Sequence, residues 1–135
     1  MSALTKDRAT AYRDGIEIDF PVAANTKIFA GSLVCVNSGG YAVPAADSAG
    51  LKFMGVAMSQ VDNSTGANGD KSLRLRRTGA FEFDAASITQ AMVGDPMYAV
   101  DDHTFDDAAG PTNDIKVGVL VKYVGATKGW IDIAR

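Results

Sequence analysis

The densest group of side chains able to do chemistry is Asp101-Asp102-His103, followed closely by Asp106 and Asp107. Carboxylates beside an imidazole are the residue types of a metal site or of an acid/base pair. The setting is poor for either: His103 is the one histidine in the chain, the run reads as a solvated turn, and a hard cation would need a rigid loop around it. A plain acidic turn is expected. A second oxygen-rich segment, 62–70, carries Asp62, Ser64, Asn68 and Asp70. It lacks the three alternating acidic or amide positions, the following Gly and the distant Glu of a calcium loop, so it reads as a hairpin loop. The Gly-rich runs 38–40 and 66–69 lack the Lys-Ser/Thr of a phosphate loop and precede no helix. No Ser/His/Asp triad can be assembled, since no nucleophile motif surrounds any serine and His103 is the only base on offer. Cys35 sits inside Leu33-Val34-Cys35-Val36 with no His or Arg near it in sequence, which predicts a small buried hydrophobe and not a reactive thiol. The expectation is a binding or structural module, not an enzyme, with no metal and no cofactor.

The elements that hold these residues are strands. Leu73, Leu75, Phe81 and Phe83 alternate with Arg74, Arg76, Glu82 and Asp84, the pattern of a sheet with one face in a core. Thr78-Gly79-Ala80 interrupts the alternation, as a bulge or a bend at a barrel corner does. The runs 51–61 and 73–83 flank the loop 62–70 and predict a hairpin. Further strands are expected at 16–20, ending at Pro21, then at 33–37 and 41–43, joined tightly through Ser38-Gly39-Gly40. Later ones are expected at 97–100, 115–124 and 130–134, the last two connected through residues 125–129. One short helix is expected over 85–92, with Ile88, Ala91 and Met92 at helical spacing and Val93-Gly94-Asp95-Pro96 stopping it. The loop 106–114, with Gly110-Pro111, reads as mobile. Short strands at regular spacing with turns between them predict an all-β barrel or sandwich.

At 135 residues the chain suits one domain, long enough to bury a core without disulfides. Residues 1–14 carry Lys6, Asp7, Arg8, Arg13 and Asp14 with only Leu4 and Tyr12 as sizeable apolar groups. They read as a flexible N-terminal arm ahead of a single β-rich domain over 15–135. A net charge of −3 argues against a life on nucleic acid. Arg74 and Arg76 share one strand face, either solvated and ion-paired or a contact face for an acidic protein surface. No apolar run approaches a membrane span, and the first residues lack the apolar core of a signal peptide, so synthesis and assembly in the cytoplasm are expected.

The succession of segments resembles the capsid cement, or decoration, proteins of tailed phages. The residues that carry the likeness begin with Ile28-Phe29-Ala30-Gly31-Ser32-Leu33-Val34 and Gly40-Tyr41-Ala42-Val43-Pro44-Ala45-Ala46-Asp47-Ser48-Ala49-Gly50. They continue through Met54-Gly55-Val56-Ala57, Val61-Asp62-Asn63-Ser64 and Arg74-Leu75-Arg76-Arg77 into Phe81-Glu82-Phe83. Last come Gly94-Asp95-Pro96-Met97-Tyr98-Ala99-Val100-Asp101-Asp102, Val117-Gly118-Val119-Leu120 and Trp130-Ile131-Asp132-Ile133. Each motif is weak alone; their order is the specific part, from Gly15 onward.

The resemblance, which does not extend to the arm before Gly15, implies a β-rich domain; with the segment readings above, the expected fold is all-β, a small β-barrel or β-tulip-like domain with one short helix and a flexible N-terminal arm. The resemblance also implies a homotrimer on the outer surface of an expanded virion head, clamping major capsid protein subunits, with no nucleic-acid or membrane partner and no catalytic residues. Leu4, Arg8, Tyr12 and Arg13 would make the arm's contacts with the capsid or a neighbouring subunit, and Arg74 and Arg76 would supply a contact face. An extended arm can add a strand to a neighbour's sheet edge, with Leu4 and Tyr12 as anchors. The reading from another class is a glycan-binding β-module of a phage head or tail fibre, with Trp130, Tyr41 and Tyr98 as ring platforms.

Overall fold

The computed structural model describes residues 2–11 and 15–135. Its strands are β1 (Glu17–Pro21), β2 (Thr26–Ile28), β3 (Leu33–Val36), β4 (Ala42–Pro44), β5 (Lys52–Ala57), β6 (Val61–Asn63), β7 (Ser72–Arg76), β8 (Ala80–Ala85), β9 (Pro96–Ala99), β10 (Thr104–Asp106), β11 (Lys116–Gly125) and β12 (Lys128–Asp132). They form a five-stranded sheet in the order β1-β7-β5-β3-β4, a closed barrel in the order β10-β8-β12-β11-β9, and a small β2-β6 ribbon. The alternation read at 73–83 is real but is split between two bodies. Leu73 and Leu75 bury themselves from β7 in one, Phe83 from β8 in the other, and Thr78-Gly79 is the crossing between them. The expected hairpin is correspondingly limited: β5 pairs β7 only at Val56↔Arg76 and Ala57↔Leu75, and most of β5 lies against β3.

The two bodies are copies of one unit. The ladder Leu33↔Val56, Val34↔Gly55 and Cys35↔Phe53 recurs 63 positions later as Pro96↔Val119, Met97↔Gly118 and Tyr98↔Lys116, with the bulge at the same place. Val36↔Ala42 recurs as Ala99↔Phe105. Glu17↔Arg76 and Ile18↔Leu75 recur as Ala80↔Asp132 and Phe81↔Ile131. Single hydrogen bonds repeat as well: Arg77 N to Ile16 O is matched by Ile133 N to Gly79 O, and Asn37 N to Tyr41 O by Val100 N to Thr104 O. The copies differ in closure. In the second unit β10 runs parallel to β8 through Thr104↔Asp84 and Phe105↔Ala85, whereas the first unit closes by the single bridge Val22↔Ala42. The cause is chemical: the Asp84 N–H donates to His103 O at 3.1 Å, and the equivalent position in the first unit is Pro21, which has no N–H to give.

Interior positions also correspond. Val22, Val34, Ala42, Ala57 and Leu75 fill the first unit, and Ala85, Met97, Phe105, Leu120 and Ile131 stand at the same places in the second. Leu33, Cys35 and Val56 project from the first unit's outer face into the second unit's cluster. β3 is therefore buried on both faces, which is why Leu33-Val34-Cys35-Val36 reads as a continuous apolar run and does not alternate. The two repeats share this packing.

Polar clamps reinforce the join. Leu33 N donates to Asp102 O at 2.8 Å. Asp47, in the loop after β4, accepts from Thr112 N at 2.9 Å and Asn113 N at 2.8 Å, and Asn113 Nδ2 donates to it as well. The loop 106–114, expected to be mobile, is thus tied to the equivalent loop of the first unit. These hydrogen bonds hold the Asp47 carboxyl below its usual 3.8. The clamp therefore contributes at pH above that value and is lost as pH falls through the lowered folded value. In acid titrations followed by melting temperature, Asp47→Ala is expected to flatten the fall in stability below about pH 4.

The first unit carries the longer loop, and its anchor is Asn63. This side chain is buried, and its Nδ2 donates to Ala23 O at 2.9 Å and Ala67 O at 3.0 Å, with Val22 O at 3.4 Å. Asn63→Ala leaves the buried Ala23 carbonyl without its donor, while Val22 O and Ala67 O keep Gly69 N and Asp70 N, and is expected to cost about 2 kcal/mol in denaturant melts. The helix expected over 85–92 is only a 3-10 turn, Gln90–Met92. Ala85 pairs with Phe105 to close the barrel, and Gly94 N is held by Leu120 O, so no room remains for a helical turn on either side.

Candidate functional site

Asp101-Asp102-His103 forms the turn between β9 and β10. His103 N donates to Asp101 Oδ1 at 2.9 Å, and His103 Nδ1 lies 3.1 Å from Asp102 Oδ1 and 3.0 Å from Asp101 Oδ1. The hydrogen bond to Asp102, with the flanking carboxylates, raises the His103 pKa above 6.5. When protonated, the ring is the counter-ion of the carboxylates in this cluster, and it is exposed. Asp106 and Asp107 cap the turn that follows: Asp106 Oδ1 accepts from Asp107 N at 2.8 Å and Asp107 Oδ1 from Ala109 N at 3.2 Å. The Asp101, Asp102 and His103 ligand-type atoms lie within 4.8 Å of one another, the spacing a metal ion could take, and the turn's backbone joins the two units through Asp102 O.

Loop 62–70 spends its oxygens on itself. Asp62 accepts from Ser64 N at 3.0 Å, Asp70 from Ala67 N at 2.9 Å, and Asn68 Oδ1 from Ala24 N at 2.8 Å. The Ser64 bonds draw the Asp62 carboxyl below its usual value. Cys35 is fully buried, and desolvation pushes its thiol up to about 12. Native protein is expected not to react with a thiol reagent at pH 8, whereas denaturant should release one equivalent; rapid labelling without denaturant would contradict the buried placement.

The proposed contact residues are scattered. Leu4 and Arg8 lie in a segment exposed throughout residues 2–11, while Tyr12 and Arg13 lie outside the described residues. Arg74 and Arg76 do share the exposed face of β7. Arg74 is ion-paired to Asp19 at 3.1 Å and Glu17 at 3.3 Å, whereas Arg76 makes no ion pair among the described residues. Tyr41 belongs to the first unit, and Tyr98 and Trp130 lie on β9 and β12, which β11 separates.

A surface that residue-type reasoning did not single out is an apolar groove of about 300 Å³ between the units, lined by Gly31, Val56, Ala57, Met58, Arg76, Phe81, Glu82 and Phe83. A second hollow of about 430 Å³, lined by Gly15, Phe53, Met54, Arg77, Thr78, Ile133 and Ala134, sits over the crossing. Neither brings a nucleophile to a base. Phe29 and Met58 are exposed beside the first groove's loop, and the recurrence of Gly31 and Gly55 at 94 and 118 was the sequence signal that could have located it. Among the described residues no helix is long and apolar enough to cross a membrane. No family model, curated protein or solved structure matches the chain.

Proposed function

We propose that the chain is a capsid decoration protein: it binds the outer surface of an expanded phage head as a trimer and stabilises the shell against internal DNA pressure. It does so by adhesion, with no cofactor and no bond chemistry. The observation that carries this reading is the pairing of a duplicated β unit, its repeats locked through a shared core, with a segment exposed over residues 2–11. A clamp between shell subunits needs both parts: a body that transmits load without unfolding and a strip that orders on contact. The order of sequence motifs from Gly15 onward adds the identity of the surface being clamped.

The test mixes full-length protein with undecorated expanded heads of the cognate phage. Regular outer density in electron micrographs and increased resistance of the heads to heat or chelator are expected, with occupancy lowered when residues 1–14 are deleted. Heads that stay bare would sink the reading. Binding on a glycan array that disappears with Trp130→Ala would replace it with the carbohydrate module.

A further inference from the structure

The two repeats agree in backbone and disagree in charge, and the disagreement falls on one surface. In the first unit Gly31 N donates to Ala57 O and Ala57 N to Ser32 O, which lays the loop carrying Phe29 along the end of β5 beside Met58. In the second, Gly94 N donates to Leu120 O and Leu120 N to Asp95 O; Val121 stands at Met58's place, while Phe29's place is taken by Met92, which packs on the second core, and the exposed Val93 follows it. Both loops leave large apolar groups in water: Phe29 is 56% exposed and Met58 43%, Val93 40% and Val121 37%. Single exposed apolar residues mean little. An exposed apolar group kept at the Met58 and Val121 position of both copies, beside a loop that exposes another in each, points to a shared use where interior residues have drifted as far as Ala42 against Phe105.

The charges beside the patches are opposite. Val56 is paired with Arg76 on the ladder, and Val119, its equivalent, with Asp132. Lys27 Nζ stands 5.1 Å from the centre of the Phe29 ring with Asp62 across the β2–β6 ladder, so Arg76 carries the cationic excess of the first patch, and the exposed Asp95 follows Gly94 in the second loop. Glu82, on the far wall of the first groove, has Lys128 at 3.9 Å, and Lys122, just past Val121, leaves the second patch with an acidic excess.

We propose that copies of this chain associate head to tail, the first-unit patch (Phe29, Met58, Lys27, Arg76) of one copy seating on the second-unit patch (Val93, Val121, Asp95, Asp132) of the next. Equivalent loops give the two patches related shapes, while charge makes like-to-like docking repulsive and first-to-second docking attractive. A contact between different patches leaves each copy with one of each still open, and it closes into a ring when the rotation between neighbours permits. This deepens the self-association in the proposed function by naming its surfaces, and it rests on that part of the reading.

Sedimentation equilibrium of the full chain is the test. Wild type is expected to be larger than a monomer and to loosen with salt. Arg76→Asp alone and Asp132→Arg alone should each weaken association at least about tenfold, and the combined Arg76→Asp/Asp132→Arg chain should recover it. Because Asp132 Oδ1 also accepts from Ala134 N, Asp95→Lys serves as a second acidic-side variant: its side chain makes no hydrogen bond among the described residues, and thermal melts confirm folding. A wild-type monomer at about 100 μM, single reversals without effect, or a combined chain that stays apart would each overturn the interface. The same variants are mixed with expanded heads. A monomer that decorates heads removes the interface and keeps the decoration reading, and rings that ignore heads do the reverse. Patch variants that still assemble but no longer decorate would assign the patches to the shell and overturn the inference.

Discussion

Phe105→Ala is expected to lower stability by about 4 kcal/mol, since replacing a buried Phe by Ala typically costs 3–5 kcal/mol. For a chain of this length that is a fall of roughly 15 °C in melting temperature. Phe105 is fully buried and lies where β10 meets β8, so the ring fills the second barrel at the ladder that closes it. Its equivalent, Ala42, is also fully buried, so the first unit is already built without a ring at this place. The loss should therefore appear as cooperative destabilisation with the spectrum of the folded state retained. A shift of only a few degrees would mean that the closed barrel tolerates a cavity at its join.

Gly55→Ala and Gly118→Ala are expected to cost about 3 kcal/mol each, the upper part of the range for overpacking, or roughly 10 °C. A Cβ at Gly55 would stand 2.4 Å from Arg76 O, and one at Gly118 2.5 Å from Asp132 O. Both obstacles are backbone carbonyls of the neighbouring strand, which cannot rotate away as a side chain would. Gly31→Ala is the control. That position has φ +82 with nothing within 4 Å of the added carbon, so only the left-handed backbone is penalised, at about 1 kcal/mol. Melting the three variants side by side separates close approach from conformation. Equal losses at Gly31 and Gly55 would show that the bulge opposite Arg76 is loose.

The composition and periodicity of this chain determined a good deal unaided. The alternation of Leu73, Leu75 and Phe83 with charged residues specified a sheet, because successive strand side chains point to opposite faces. The glycine-bearing turn at Ser38-Gly39-Gly40 specified the β3–β4 hairpin, and the apolar setting of Cys35 its burial. The chemistry-bearing residues were also legible as turn formers, since Asp62, Asp70, Asp106 and Asp107 all bond nearby backbone, as short polar side chains in loops do.

Only the tertiary structure decided that the strands make two copies of one unit, and that Thr78-Gly79 is a crossing and not a bulge within one strand. The physical reason is that a barrel interior constrains total volume and not identity. Ala42 can face Phe105 across the repeat, and Ala57 Leu120, so the duplication survives in hydrogen bonds and registers while its side chains have diverged. The helix expected over 85–92 is shortened to the 3-10 turn Gln90–Met92 for a related cause: Ala85 is taken by a strand pairing twenty residues away in sequence, at Phe105. Whether Arg74 is free or paired, and that its neighbour Arg76 borders an apolar groove, depends on which strand lies alongside β7. Local sequence does not carry that information, because strand neighbours are chosen by long-range packing.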